Sequence, residues 1–182
     1  MSRSPKSKAA AEAAALEKEF LAAYEQYADA LLRHALLRVR DRDLARDIVQ
    51  ETFAKTWLYL SERNNIEYMK AFLYRVANNL IVDHSRKKKS SSLDKMMDDD
   101  GFEINDENLK HPSEIGDARA AVKLLDSLEE IYRTVISMRF LDGLTPKEIS
   151  SALNISENVV SVRLHRGVEQ LKKLVNRVPG GA

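Results

Sequence analysis

The sequence predicts an all-α protein built from two small helical domains that are joined by a flexible acidic linker. Glycine and proline are scarce, at 6 and 4 of 182 residues, and no run of alternating apolar residues indicates a strand. Apolar residues at three- and four-residue spacing recur over two stretches, and a charged segment separates them. We therefore divide the chain into a mobile N-terminal tail, a first domain, the linker and a second domain, at residues 1–19, 20–89, 90–116 and 117–178.

The composition allows two cores and excludes several classes of protein. Hydrophobic residues make up 44% of the chain, and the formal net charge is +1. No apolar run approaches the ~20 residues that span a membrane, and the N-terminus lacks a signal-peptide core. We therefore expect a cytoplasmic protein with no membrane insertion. The absence of cysteine excludes disulfides and thiolate metal sites.

The first domain begins with a long amphipathic helix. Residues 1–15 are basic and then alanine-rich without an apolar stripe, so they are either a mobile tail or a helix extension. From Phe20 the helical spacing of apolar residues continues to Val39. The DRD sequence at residues 41–43 ends this helix and offers a cap for a second helix, which runs to about Leu60.

A polar loop, SERNN at residues 61–65, leads into a third helix. One face of this helix is apolar, and the other carries aromatic, amide and charged side chains: Lys70, Tyr74, Arg75, Asn78, Asn79 and Asp83. The helix then runs into a basic block, Arg86 to Lys89. Rings and guanidinium groups stack on bases, amides read base edges and cations bind phosphates. The pattern favours strand separation and base reading, and a solvated amphipathic helix is the alternative.

The linker is acidic, with seven carboxylates between residues 94 and 107 diluted by one lysine. Its serines, glycine and proline supply few apolar groups, so we predict no regular structure there. Two helices, over about residues 117–126 and 128–140, should open the second domain, and Asp142 and Gly143 should end the latter helix.

The second domain ends in a predicted helix-turn-helix. Thr145 and Glu148 can form a capping box with Pro146 at the first helical position. Asn154 can close this helix in the left-handed conformation, and Ser156 can cap the next helix. The second helix of such a motif is presented to the DNA major groove, and its excess of basic residues suits phosphates. A core hairpin with a solvated basic face is the alternative.

No motif for catalysis is found. The four histidines lie in separate segments without metal-ligand spacing, and there is no phosphate-binding loop and no nucleophile elbow. We therefore expect no enzymatic activity, no metal and no cofactor.

Three motifs together carry a resemblance to a known family. They are ARDIVQETFAKTW at residues 45–57, FLYRVANNLIVDHSRKK at residues 72–88, and the helix-turn-helix that ends in VRLHRGVEQLKK. Their order and spacing resemble the sigma-70 family of bacterial transcription initiation factors, in its extracytoplasmic-function (ECF) group. This group keeps only sigma domain 2, a helical bundle, and sigma domain 4, a helix-turn-helix.

The resemblance implies a function and a role for each motif. A sigma factor binds core RNA polymerase, reads the −10 and −35 promoter elements and assists DNA opening. The surface that docks on the polymerase β′ clamp would be formed by Asp47, Gln50, Glu51 and Phe53. The −10 element would be contacted by Asn64, Asn65, Tyr74, Arg75, Asn78, Asn79, Arg86, Lys87 and Lys88. The −35 element would be contacted by Glu157, Asn158, Ser161, Arg163, His165 and Arg166.

The implied partners are bacterial core RNA polymerase, through its β′ clamp and its β subunit, promoter DNA, and an anti-sigma factor that silences the protein. The acidic linker is similar in position to the family segment that threads toward the RNA exit channel of the polymerase, and a plain tether is the alternative. An autonomous helix-turn-helix regulator of the LuxR output type is the alternative function. It would require a βαβ receiver or a ligand-binding domain before the motif, where this sequence predicts helices.

Overall fold

The structure is a computed structural model that describes residues 5–62, 64–91 and 120–176, with side chains described for residues 12–62, 64–87 and 120–176. All regular structure within these ranges is helical and no strand occurs there, so the predicted all-α class is confirmed. The chain divides into two compact units, Met1–Arg86 and Lys87–Ala182. The acidic linker lies outside the described residues.

Unit 1 is built from three long helices. They are α1, Pro5–Val39, α2, Arg42–Ser61, and α3, Met69–Ser91, whose last turn passes the division between the units. Helix α1 begins well before Phe20, so the N-terminal residues from Pro5 onward adopt the helix extension rather than the mobile tail.

A two-residue connection joins α1 to α2. Arg40 has a φ of 56°, and its N–H donates to the Leu36 carbonyl at 2.9 Å, which closes α1. Asp41 then caps α2, because its Oδ1 accepts from the N–H groups of Asp43 and Leu44, each at 3.0 Å. The predicted cap in the DRD sequence is therefore confirmed. So short a connection makes α1 and α2 antiparallel neighbours.

The core of unit 1 lies among these helices. Its fully buried members include Leu31, Ile48, Leu73 and Ile81. Two buried threonines within α2 avoid a lost hydrogen bond by bonding to the preceding turn of the same helix. Thr52 Oγ1 donates to the Ile48 carbonyl, and Thr56 Oγ1 donates to the Thr52 carbonyl, both at 2.7 Å.

Unit 2 contains helical residues 120–126 (α4), then α5, Glu130–Ile136, α6, Pro146–Leu153, and α7, Glu157–Val175. The sequence predicts one helix over residues 128–140. The structure instead changes to a π-helical turn at Ser137–Leu141, where the Asp142 N–H donates to the Ser137 carbonyl at 3.0 Å. Gly143 follows with a φ of 64°. The wider turn leaves Phe140 and Leu141 exposed.

Helices α4, α5 and α7 enclose the core of unit 2. Leu128, Tyr132 and Ile136 form its centre, and Leu164 and Val168 of α7 pack against them. Arg133 holds the α4–α5 corner, because its Nη2 donates to the carbonyls of Asp126 at 3.2 Å and Leu128 at 3.0 Å. These bonds satisfy two carbonyls at the end of α4 that have no partner within a helix.

Candidate functional site

The helix-turn-helix of unit 2 forms as the sequence predicts. Thr145 Oγ1 accepts from the Glu148 N–H at 3.3 Å, and Glu148 Oε2 accepts from the Thr145 N–H at 2.7 Å. Asn154 closes α6 in the left-handed conformation with φ 53° and ψ 47°. Ser156 then caps α7 by accepting from the Val159 N–H at 3.3 Å. Local side-chain chemistry thus sets both ends of the turn that aims α7.

Helix α7 buries one face and exposes the opposite one. Five of the six predicted −35 contacts are exposed: Glu157, Asn158, Ser161, His165 and Arg166. His165 Nε2 lies 3.5 Å from Glu169 Oε1, which offers the imidazole an anionic partner. The sixth, Arg163, is half-buried, and it lines a shallow depression beside α5 together with Asn158, Val162 and Arg166. Among the two predicted arginines, Arg166 is therefore the more accessible to DNA.

The predicted contact set omits one residue near the centre of the outward face of α7. Val162 lies four residues before Arg166 and is 43% exposed. An exposed valine there has an apolar side chain that can contact a thymine methyl group in the major groove. The helical spacing from Asn158 to Val162 is the sequence signal that could have found it.

Helix α2 of unit 1 presents a polar face. Asp47, Gln50 and Glu51 are all exposed, and their three- and four-residue spacing sets them side by side. Glu51 Oε1 pairs with Lys55 Nζ at 2.9 Å on the same face. Leu58 follows seven residues after Glu51 and is 61% exposed. The face therefore combines acidic and amide groups with the apolar side chain of Leu58, which the predicted set lacks.

The prediction that Phe53 belongs to this surface is wrong. Its side chain is only 4% exposed, and its ring packs 6.0 Å from that of Phe20 and 4.8 Å from that of Tyr24. These contacts make Phe53 part of the packing between α1 and α2. A partner could reach it only after α1 moved away. Leu58, in contrast, is an apolar side chain of α2 that a partner can reach directly.

The two asparagines of the loop between α2 and α3 differ in their surroundings. Asn64 Nδ2 donates to the Tyr59 carbonyl at 3.0 Å, so this amide helps to end α2. Asn65 is exposed, and Ile66 after it is buried and anchors the loop. Asn65 is thus better suited than Asn64 to contact a base, while Asn64 fixes the loop.

Helix α3 carries a stripe of exposed or half-buried side chains at helical spacing. The stripe consists of Phe72, Arg75, Asn79, Asp83 and Arg86. Lys87 beside it is exposed, and the Lys88 side chain lies outside the described residues. Asn78, on the flank of the stripe, is half-buried and accepts a hydrogen bond from Arg38 Nη1 at 3.4 Å through its Oδ1. Three of the predicted −10 residues, Arg75, Asn79 and Arg86, therefore share one side of α3, and Asn78 and Lys87 flank it.

The prediction that Tyr74 contacts a base is wrong. It is fully buried at 0% exposure, and its ring meets the buried His34 ring edge to face at 5.1 Å. The physical reason is its position, because Tyr74 lies on the side of α3 that also carries Leu73 and Ala77, both of which are buried. A base cannot stack on a ring that α1 covers.

Two other aromatic side chains on this surface are accessible, the half-buried Phe72 and the exposed Tyr59. The Phe72 ring lies 4.9 Å from the Tyr59 ring, and the Arg75 guanidinium carbon lies 5.0 Å from the Phe72 centroid. Neither Phe72 nor Tyr59 is among the predicted −10 contacts. Because Tyr59 comes from the end of α2, its proximity to Phe72 depends on how the two helices pack, and no local pattern shows it.

Within the described residues, no group of histidine, aspartate and glutamate side chains could hold a metal ion. Over the same ranges, no helix is both long enough and apolar enough to cross a membrane.

Two family models match the chain. Residues 23–91 match the model described as Sigma-70 region 2, and residues 118–171 match Sigma-70, region 4. These ranges hold the α2 and α3 surfaces and the helix-turn-helix respectively. The match over residues 23–91 gives no support to the LuxR-type alternative, which requires a different N-terminal domain.

Curated relatives match along most of the chain. The chain is 29% identical over 155 residues to the ECF RNA polymerase sigma factor SigM of Bacillus subtilis, covering 85% of this chain and 93% of SigM. It is 30% identical over 168 residues to the ECF RNA polymerase sigma factor SigL of Mycobacterium tuberculosis, covering 90% of each.

Solved structures share the fold. The sigma factor RpoE from Bartonella quintana, crystallised with the anti-sigma factor NepR, matches with a TM-score of 0.70 at 21% identity, over 88% of this chain and 98% of RpoE. CnrH, solved with the cytosolic domain of CnrY, matches with a TM-score of 0.66 at 21% identity, over 92% of this chain and 94% of CnrH.

Proposed function

Because the chain belongs to the sigma-70 family, in its ECF group, we propose that three surfaces described above carry out the steps of promoter recognition. The protein is a transcription initiation factor and not an enzyme. It binds core RNA polymerase and directs it to promoters. The proposal concerns which side chains do this.

We assign core polymerase binding to the exposed face of α2, formed by Asp47, Gln50, Glu51 and Leu58. The observation that supports this assignment is the separation of the two sides of α2. Thr52, Phe53 and Thr56 are buried, which leaves the acidic, amide and apolar groups on the other side for a partner. Arginine and lysine side chains on a facing helix pair would complement Asp47 and Glu51.

We assign −10 recognition to the α3 stripe and to Asn65. Arg86 and Lys87 supply cations for phosphates, and Asn79 supplies an amide for a base edge. The Tyr59–Phe72 pair, with Arg75 against Phe72, provides a half-buried platform on which an unpaired base can stack. Stacking on an aromatic side chain contributes about 1–3 kcal/mol per base, which offsets the cost of unstacking it from the duplex.

We assign −35 recognition to the outward face of α7. Asn158, Ser161 and His165 can reach base edges, Val162 offers a methyl contact, and Arg166 can bind a base or a phosphate. Arg163 lies against α5 and is assigned a flanking role. Glu157 at the start of the helix can accept from an amino group of cytosine or adenine.

We also propose that the protein acts in the cytoplasm, where core polymerase works, and that an anti-sigma factor controls it. The fold-level match to RpoE, which was solved with the anti-sigma factor NepR, supports the second point. An anti-sigma factor that silences this chain must cover at least one of the surfaces above.

The test of the polymerase assignment is co-migration with bacterial core RNA polymerase on a sizing column. We expect the chain to co-migrate, and Gln50→Ala combined with Glu51→Ala to weaken binding at least tenfold. The matched control is Glu25→Ala combined with Gln26→Ala, which removes the same two groups from exposed positions of α1. The control pair should bind as the unmodified chain does.

Equal weakening by the two pairs would show that the effect is one of general charge and would end the assignment to α2. A folded chain that never co-migrates with core polymerase, in the absence of any anti-sigma factor, would contradict the proposed mode of action as a whole.

A further inference from the structure

One hydrogen bond in unit 1 links a proposed DNA contact to a side chain outside the proposed surfaces. Arg38, in the last turn of α1, donates from Nη1 to Asn78 Oδ1 of α3 at 3.4 Å. Both side chains are half-buried. The sequence gives no sign of this bond, because the two residues are 40 positions apart.

The bond fixes the orientation of the Asn78 amide. Arginine carries five N–H donors and no acceptor, so only the oxygen of the amide can face it. The amide nitrogen must then point the other way, where it has two N–H donors to offer. Asn78 therefore presents its donors, and a cation already holds one of the two lone pairs of its oxygen.

This orientation limits which base Asn78 can read. Asparagine recognises adenine in a bidentate manner, accepting from N6–H and donating to N7. With the guanidinium on Oδ1, an adenine amino group would have to use the second lone pair of the same oxygen, and its partially positive hydrogen would lie close to the Arg38 cation. Thymine O4 and the O6 and N7 atoms of guanine are acceptors and meet no such conflict.

We propose that Arg38 is a positioning residue that sets the base preference of Asn78, so that one −10 position favours thymine or guanine over adenine. This inference rests on the proposed function, in which the α3 stripe that Asn78 flanks faces the −10 DNA. Arg38 acts through the amide and need not touch DNA itself.

The test is promoter selection by reconstituted holoenzyme from a library with a randomised −10 element. We expect the unmodified chain to prefer thymine or guanine over adenine at one position by about fivefold, the size of one net hydrogen bond. Asn78→Ala should erase that preference and so identify the position. Arg38→Met, which keeps a long side chain without donors, should raise adenine there to parity or above and leave the other positions unchanged.

Two further variants separate positioning from folding. Arg38→Lys keeps a cationic donor and should retain the thymine or guanine preference. Asn78→Asp replaces the donor by an acceptor and should shift the preference toward the amino-bearing bases adenine and cytosine, independently of whether Arg38→Met folds well.

The outcomes are distinguishable. A uniform loss of selection at every position in folded Arg38→Met, or a profile identical to that of the unmodified chain, would overturn the inference, as would an Asn78→Asp profile without a shift at that position. Selection of no promoter by holoenzyme containing the unmodified chain would instead overturn the function on which the inference rests.

Discussion

Single side chains set how closely the helices of unit 2 approach each other, and Gly167 is the clearest case. It is a buried glycine of α7, and a Cβ built there would lie 2.9 Å from Ile136 Cγ1 and 3.2 Å from Ile136 Cδ1. Ile136 is itself only 3% exposed and cannot swing into solvent. The absence of a side chain at Gly167 is what allows α7 to pack directly on α5.

We predict that Gly167→Ala lowers the free energy of unfolding of unit 2. Alanine gains about 1 kcal/mol of helix propensity over glycine, whereas forcing an extra methyl group into a packed core costs typically about 1–3 kcal/mol. Because the opposing atom is a mid-chain carbon of a β-branched residue, we expect a net loss of about 1 kcal/mol. Urea unfolding of the full chain, followed by circular dichroism, measures it.

An Ile136→Ala background serves as the control for this prediction. Ile136→Ala removes Cγ1 and Cδ1, the two carbons closest to a Cβ at position 167. The higher helix propensity of alanine should then dominate, and Gly167→Ala should become neutral or stabilising. If Gly167→Ala stabilised the otherwise unmodified chain, the close approach of α5 and α7 would be wrong.

Residue-scale prediction from the sequence succeeded where a side chain acts on its own backbone and failed where a neighbour in space decides. Asp41 could be predicted as a cap because its partners, the N–H groups of Asp43 and Leu44, lie within three residues. The burial of Phe53 and Tyr74 could not be predicted in this way, because each residue lies near the edge of an amphipathic stripe. Packing against Phe20 and Tyr24 in one case, and His34 in the other, makes them core residues.

At the scale of elements, the turn between α6 and α7 has a conformation that few residues adopt. Asn154 has φ 53° and ψ 47°, and its N–H donates to the Ser150 carbonyl. Only glycine, and to a lesser degree asparagine and aspartate, visit this region routinely. The Ser150 hydroxyl also donates to the Ile155 carbonyl at 2.6 Å, which ties α6 to the residue before the α7 cap.

We predict that Asn154→Gly leaves stability nearly unchanged, while Asn154→Ala lowers it by about 1 kcal/mol, because alanine keeps the Cβ that disfavours the left-handed region and lacks the short polar side chain with which asparagine tolerates it. The two variants differ by one methyl group. Glycine has more conformational freedom than alanine in the unfolded chain, and this effect alone would make the alanine variant the more stable one. The predicted order is therefore a stringent test. Thermal unfolding of both variants measures the difference. An alanine variant as stable as the glycine variant would mean that the turn relaxes to another conformation.

The elements themselves differ in how far the sequence determines them. The capping box at Thr145 and Glu148 and the cap at Ser156 are local hydrogen bonds, so the helix-turn-helix boundaries followed from residue types alone. The π-helical turn at Ser137–Leu141 did not. One extra residue in a turn changes the spacing of apolar residues only slightly, so the sequence pattern does not show it. The π-helical turn is locally less stable than an α-helical one, and tertiary contacts such as the burial of Met138 and Leu144 stabilise it.

For the whole chain, the distribution of charge matters more than its sum. The formal net charge is +1, so the protein exerts no strong long-range attraction on DNA. Its cations are concentrated instead on the end of α3, with Arg86 and Lys87, and on α7, with Arg166 and Lys172. Each group can neutralise only a few phosphates. Such a chain depends on a partner to bring both groups to one promoter.

We therefore predict that the free chain binds promoter DNA only weakly and without discrimination, with a dissociation constant no lower than about 10⁻⁶ M at physiological salt, as is usual for non-specific binding. With core polymerase, the preference for a selected promoter over a scrambled duplex should reach at least about 10³-fold. Fluorescence anisotropy of labelled duplexes, with and without core polymerase, compares the two.

The salt dependence of the same measurements tests whether the low affinity of the free chain for DNA reflects a small number of phosphate contacts. Because each phosphate contact contributes a slope of about −0.9 to the logarithmic plot of affinity against salt concentration, Arg166→Ala should reduce the holoenzyme slope by about one contact if Arg166 binds a phosphate. If it reads a base instead, the loss should concentrate at one −35 position. Discrimination of about 10³-fold by the free chain would contradict the dependence on polymerase, because the helix-turn-helix would then suffice as an autonomous reader.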